Sequence, residues 1–416
     1  MQDIKIAAKR QFSSRRSMDK KGVTISLIIT LAVQSTVSMV AVTVPVLAPS
    51  AAPDIGISAT SAGLYVSIMY LGSMLSSLWS GDFILRFGAI RVSQASLALA
   101  GIGLIVAAIG SIPAMAASAL IIGFGYGPVT PASSHILARK APAGMMSFIF
   151  SLKQTGVPLG GVLAGAIVPS LVLAVGWRNG SIIIGVIAMS LIAFIHPLRA
   201  EIDADRQMKR PISLKGVVGP LKMVFLHRPL RQLAVISFLY AGMQLCLFTY
   251  LVIYLTNDIG MAFVAAGFTL SAAQMAGTIG RIIWGIMADR LLHPRLLLGL
   301  LGVGMSAGAI ATALISPAWS TLLIVAVLVL FGITAIGWNG VYLAEAARLA
   351  PAGQVGAATG GTLFFTFLGV VLGPSIFAAV ASGTDSYPIG YVFFAVLTFI
   401  GGGAAILSWS KDKKPA

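Results

Sequence analysis

Two basic residues lie deep in apolar runs of this chain. Lys153 stands seven residues into one apolar segment, and Arg281 stands eight residues before Asp289, near the end of another. At the helical rise, those separations place them roughly 10 and 12 Å below a membrane surface. A basic side chain at mid-bilayer costs about 2.5–3.5 kcal/mol. Such residues usually face a cavity and mark a substrate path. The alternative for two such long side chains is snorkelling to the interface. No Asp or Glu lies in the middle of any apolar segment to neutralise them. Gln274, Thr278, Arg281 and Gly285 share one helical stripe, as do Lys153, Gly156 and Gly160.

Other polar side chains recur at matching depths. Gln34 shares a face with Thr30 and Ser38, and Gln244 with Ser237 and Tyr240. Thr334, Trp338, Tyr342 and Glu345 form a stripe with Asn339 beside it, and Tyr126 lies near Thr130. Gln34, Gln244, Trp338, Asn339 and Tyr126 are candidate substrate contacts. Interhelical hydrogen bonding suits each of them as well. Glu345 and Arg348, three apart near one surface, suit a gate or a helix end. The four histidines share no metal spacing, so neither a metal nor a cofactor is expected. The absence of a nucleophile, base and metal set argues against an enzyme.

The elements that hold these residues are apolar helices. Of 416 residues, 57% are hydrophobic and 10% charged, and the mean hydropathy is +0.95. Soluble domains carry about 25% charged residues, so this is a polytopic membrane protein embedded in a lipid bilayer. Twelve spanning segments are expected, at 22–48, 61–84, 92–111, 113–137, 146–170, 180–197, 232–255, 264–287, 296–315, 319–343, 355–380 and 388–409. The division between the third and fourth rests on Ser111-Ile112-Pro113 alone. The net charge of +16 does not imply nucleic acid. Arg86, Arg91, Arg139, Lys140, Arg290, Arg295 and Arg348 fall in loops on one side, while the other holds Asp54, Asp258 and Asp385 and a single basic residue, Arg178. The positive-inside rule then places both termini in the cytoplasm.

Residues 1–21 read as a cytoplasmic tail, with Met18 as a second candidate start, and 411–416 as another tail. Residues 22–197 and 232–410 each hold six segments. The connection 198–231 carries mixed charge, then an amphipathic basic helix over Ser213 to Arg228, suited to the inner leaflet. The halves repeat. Ala138-Arg139-Lys140-Ala141-Pro142-Ala143-Gly144 recurs as Ala347-Arg348-Leu349-Ala350-Pro351-Ala352-Gly353, offset by 209, and Gly81 to Arg86 recurs as Gly285 to Arg290, offset by 204. Duplicated six-helix units related by an axis along the membrane normal are a known transporter plan.

These motifs resemble a bacterial member of the major facilitator superfamily over the full length. The family's loop between helices 2 and 3 appears as Gly81, Arg86, Gly88 and Arg91, with Leu85 where the family has Asp. The second copy is intact as Gly285, Asp289 and Arg290. Helix 5 resembles the glycine-proline motif in degenerate form, at Gly156, Pro158, Gly160, Gly161 and Gly165; helix 11 has Gly369 and Gly373-Pro374. The resemblance implies two pseudo-symmetric six-helix bundles in an inner membrane, working by alternating access as a monomer. It also implies that helices 5 and 8 face each other, so that Lys153 and Arg281 become neighbours. Two cations there repel unless an anion sits between them, and a carboxylate meets a guanidinium in bidentate fashion.

Arg281, followed by Gly285, resembles the helix 8 arginine of oxalate and monocarboxylate transporters, although Gly277 stands where the monocarboxylate family has an acid. The expected substrate is a small organic anion such as a mono- or dicarboxylate, with a proton or counter-anion as the coupling ion left open. Efflux of amphipathic compounds and a receptor or scaffold on a transporter fold are the alternatives. Asp289 suits a gate, because a carboxylate can accept bonds from a neighbouring helix N-terminus.

Overall fold

The computed structural model describes residues 2–57, 61–209 and 215–412. It is 89% helical, with no strand among the described residues. In chain order the helices are α1 (Gln2–Ile55), α2 (Ala62–Phe87), α3 (Ala89–Ala107), α4 (Ile112–Tyr126), α5 (Val129–Lys140), α6 (Met146–Gln154), α7 (Gly156–Ile195), α8 (Arg199–Ile202) and α9 (Lys215–Leu226). Then come α10 (Arg228–Asn257), α11 (Phe263–Arg290), α12 (Pro294–Ala313), α13 (Thr321–Gly337), α14 (Asn339–Leu349), α15 (Val355–Thr384) and α16 (Tyr387–Asp412).

Eleven continuous stretches are long and apolar enough to cross a membrane. One of them, Met146–Ile202, has 57 residues and turns at Gly176, where φ is 80° and ψ 161°. Only glycine adopts that backbone without strain. The stretch therefore supplies two crossings, and the fold is the twelve-helix one. Segments 3 and 4 part at Gly110, with φ 74°, after which the Ser111 hydroxyl caps α4 by accepting from the Ala114 N–H. α1 begins at Gln2, inside the stretch expected as a tail. A helix, α9, lies within the stretch 213–228; residues 213–214 and 413–416 lie outside the described residues.

Two apolar cores form, one from each half. The first gathers Val37, Leu97, Ile122 and Ile184, the second Leu247, Leu298, Leu328 and Phe377. Four residues of the first half, Leu137, Met146, Ile149 and Phe150, pack instead into the second core. They sit at the end of the bundle that carries the basic loops. α6 packs on α11 and α14, and α2 on α15, whereas α7 packs on α1 and α3. The halves thus close on one another at the basic end.

Three crossings have a point where the regular helical hydrogen bonding lapses while the backbone stays near helical torsions. The fourth breaks at Gly127-Pro128, the fifth at Thr155 and the tenth at Trp338. Interrupted helices leave main-chain groups without partners, and at membrane depth such groups must find partners within the protein.

Candidate functional site

Lys153 and Arg281 are 1% and 3% exposed. Neither side chain reaches the bundle surface. Lys153 Nζ donates to Gln34 Oε1 at 2.7 Å, to Gln154 Oε1 at 2.9 Å and to Thr130 Oγ1 at 3.3 Å. Arg281 donates from Nη1 to the Gln154 carbonyl at 2.7 Å and from Nε to the Ile336 carbonyl at 3.0 Å. Gln154 therefore touches both cations, one through its side chain and one through its main chain. Neither cation forms an ion pair with a carboxylate among the described residues.

Of the other candidates, Gln34 joins this cluster. Its Oε1 also accepts from Thr130 Oγ1 at 3.1 Å, and its Nε2 donates to Ser38 at 3.2 Å. Gln244, Trp338 and Asn339 make a second network, in which Gln244 Oε1 accepts from Trp338 Nε1 at 3.1 Å and Asn339 Nδ2 at 3.2 Å. Gln34 and Gln244 are 210 residues apart, and Thr130 and Asn339 are 209 apart, so the two bonds are related by the internal repeat. Lys153 has no basic counterpart; Thr362 stands 209 residues later. Tyr126 lies edge-on to Tyr70 and Phe367, each at 6.2 Å between centroids, in an aromatic cluster spanning both halves.

The gate candidates divide. The Asp289 side chain is 2% exposed. It accepts the Ser147 N–H at 3.0 Å and the Phe148 N–H at 2.8 Å, in the first turn of α6, and Arg348 Nη2 at 2.9 Å. A carboxylate there meets unpaired N–H groups and the positive end of the helix dipole. Glu345 continues the network to Arg295 Nε at 3.0 Å and to Arg348 Nη1 at 3.8 Å. Gly285 permits the approach, because a Cβ there would lie 2.6 Å from Ser151 Oγ. Gly81 does the same in the first half, where a Cβ would lie 2.7 Å from Ala357 Cα. Arg86 stacks over Phe87, Arg91 donates to Gln94, and Arg290 is exposed.

The first half has no acid at Leu85, and one arrives from elsewhere. Asp203, fully buried just after α8, accepts the Ile90 N–H at 2.8 Å and the Arg91 N–H at 3.2 Å, capping α3. Its carboxyl presses against Gly88, whose φ of 97° suits only glycine. Burial raises the Asp203 pKa above its usual value. Two residues on, Asp205 pairs with His135 Nε2 and Arg139 Nη1, both at 2.7 Å, and the Gln207 N–H donates to the Leu85 carbonyl at 2.6 Å. In the sequence these acids stand only among the mixed charges of the linker, and Asp203-x-Asp205, six residues after the sixth segment, is their one signal. An apolar cleft between α1, α2 and α4, lined by Val44, Tyr65 and Met115, holds no basic side chain.

Residues 27–374 match the profile of the Major Facilitator Superfamily. The cis,cis-muconate transport protein of Acinetobacter baylyi is 24% identical over 367 residues, 84% of this chain and 85% of that protein. The benzoate transport protein of the same organism is 23% identical over 287 residues, 61% of this chain and 60% of its own. Among solved structures, a bacterial homologue of the iron transporter ferroportin in its outward-facing state superposes with TM-score 0.74 at 15% identity, covering 94% of this chain and 99% of that one. At that identity the likeness shows the fold.

Proposed function

The chain belongs to the Major Facilitator Superfamily, and from that premise we propose that it is a secondary transporter of a small organic anion, bound between its halves by Arg281 and Lys153. The observation that carries this reading is a pair of fully buried cations, meeting at Gln154 across the seam, with no carboxylate paired to either among the described residues. Buried charge without a counter-ion is costly. A carboxylate entering the seam supplies the missing charge, and the guanidinium offers it a planar fork. Muconate and benzoate, named in two relatives, are carboxylates. The basic loops at the closed end favour, by the positive-inside rule, a cytoplasmic side for that end and for both termini, and the same reading puts the bundle in the inner membrane. Gly277 leaves no acid one turn before Arg281, so no proton step is assigned to this site.

The test is uptake by proteoliposomes. Arg281→Gln should abolish uptake of muconate or benzoate while the purified protein stays folded and monodisperse. Wild-type protein that moves cationic amphipaths but no carboxylate would replace this reading with efflux.

A further inference from the structure

In an α-helix the Gln154 carbonyl would accept the N–H of residue 158. That residue is proline, which has no N–H, and whose ring pushes against the carbonyl four residues before it. The regular hydrogen bonding lapses there, at Thr155 between α6 and α7, although the backbone stays near helical torsions. The freed carbonyl is the one that receives Arg281 Nη1 at 2.7 Å. The second acceptor, the Ile336 carbonyl, lies two residues before the break at Trp338. One arginine thus joins two interrupted helices, α6 of the first half and α13 of the second, from its place on α11.

We propose that Pro158 is a positioning residue: it holds the Gln154 carbonyl out of the helix as a resting acceptor for Arg281, and the bond locks the seam in the closed form seen here. The repeat supports a locking role. Ser77 stands 204 residues before Arg281, and its hydroxyl, which donates to the Met74 carbonyl of its own helix at 2.7 Å, also lies 3.2 Å from the Gly360 carbonyl of the other half. The first-half copy is a neutral, shared contact between a short side chain and a carbonyl. The second-half copy uses a cation, which an anion can withdraw. A carboxylate outcompetes two neutral carbonyls for a guanidinium, because both partners are then ionised. A substrate anion therefore takes Arg281 off its resting acceptors and releases the seam. That last step rests on the anion reading above; the lock itself does not.

Two further side chains mark the surface that opens. Ser147 Oγ and Ser151 Oγ, on α6, are buried with no hydrogen-bond partner. Ser151 packs directly on Gly285 and Gly340 of the other half. Unpaired buried hydroxyls are costly, and opening the seam would wet them.

Ser151→Cys, in a Cys246→Ser background, reports opening through its alkylation rate with a water-soluble maleimide. Pro158→Ala restores an N–H and removes the ring. It should speed alkylation about tenfold, the population change expected from losing one hydrogen bond to a charged group. Arg281→Gln should speed it at least as much, and the double variant no further than Arg281→Gln alone. A proline with a purely structural role would instead give multiplying effects. An unchanged rate in Pro158→Ala, or multiplying effects, overturns the lock. If the Ser151→Cys substitution itself loosens the seam, spin labels at the exposed Met145 and Leu291, one on each half, take its place in the same cycle with the same two outcomes. Muconate should speed alkylation in the parent protein but not in Arg281→Gln. If neither muconate nor benzoate does so while the cycle holds, the anion reading fails and the lock stands.

Discussion

Replacing Asp289 by Asn keeps the size of the seam's buried acid and removes its charge. The carboxylate accepts three donors, from Ser147, Phe148 and Arg348, all within 3.0 Å. An amide has one acceptor oxygen, and its NH2 would face one of those donors. With its oxygen toward Ser147 and Arg348, which share Oδ1, the amide loses the Phe148 bond outright, at about 1.5 kcal/mol, and turns the Ser147 bond from charge-assisted to neutral, at about 0.5 kcal/mol. The total, about 2 kcal/mol, corresponds to a shift of about 30-fold toward the form open at the basic end. Spin labels at Met145 and Leu291 would read it as a second, longer distance population. Arg290→Gln is the control, since Arg290 is exposed and the structure expects no more than a small change. The reasoning is refuted if Asp289→Asn keeps the single short distance, or shifts it no more than the control.

Other outcomes follow from the same geometry. Gln34→Leu removes the shortest of the three bonds to Lys153 Nζ, so the melting temperature should fall by an amount matching about 1.5–3 kcal/mol, while the Gln244 network stays intact. The Asp203 pKa is raised above its unfolded value, chiefly by burial. Its contribution to stability is therefore full below the ordinary carboxylate range and is lost as pH rises through the raised value. Between pH 4 and pH 7 the melting temperature should accordingly fall more in the parent protein than in Asp203→Asn, and equal falls would contradict the assignment.

Much of the architecture was readable because lipid imposes a simple constraint. A backbone crossing hydrocarbon must satisfy itself, so long apolar runs become helices. The repeated loops at Arg139 and Arg348, and at Gly81 and Gly285, already declared two related halves. Asp289 was legible as a helix-end acceptor because its motif is local. The docking of Asp203 onto α3 was not, because its partners lie more than a hundred residues away and are main-chain N–H groups, which carry no side-chain signature. Thr155 and Trp338 likewise read as ordinary helix interior.

The sequence by itself determined that this chain is a twelve-crossing membrane protein in two repeated halves, with two cations placed in its apolar interior. Hydropathy, charge distribution and internal repetition are properties of the chain alone. Only the tertiary structure decided what those cations rest on. Lys153 lies among amide and hydroxyl oxygens, and Arg281 on the carbonyls of Gln154 and Ile336. Every residue has a carbonyl, and which one is free to accept depends on where a helix breaks and what packs against the break.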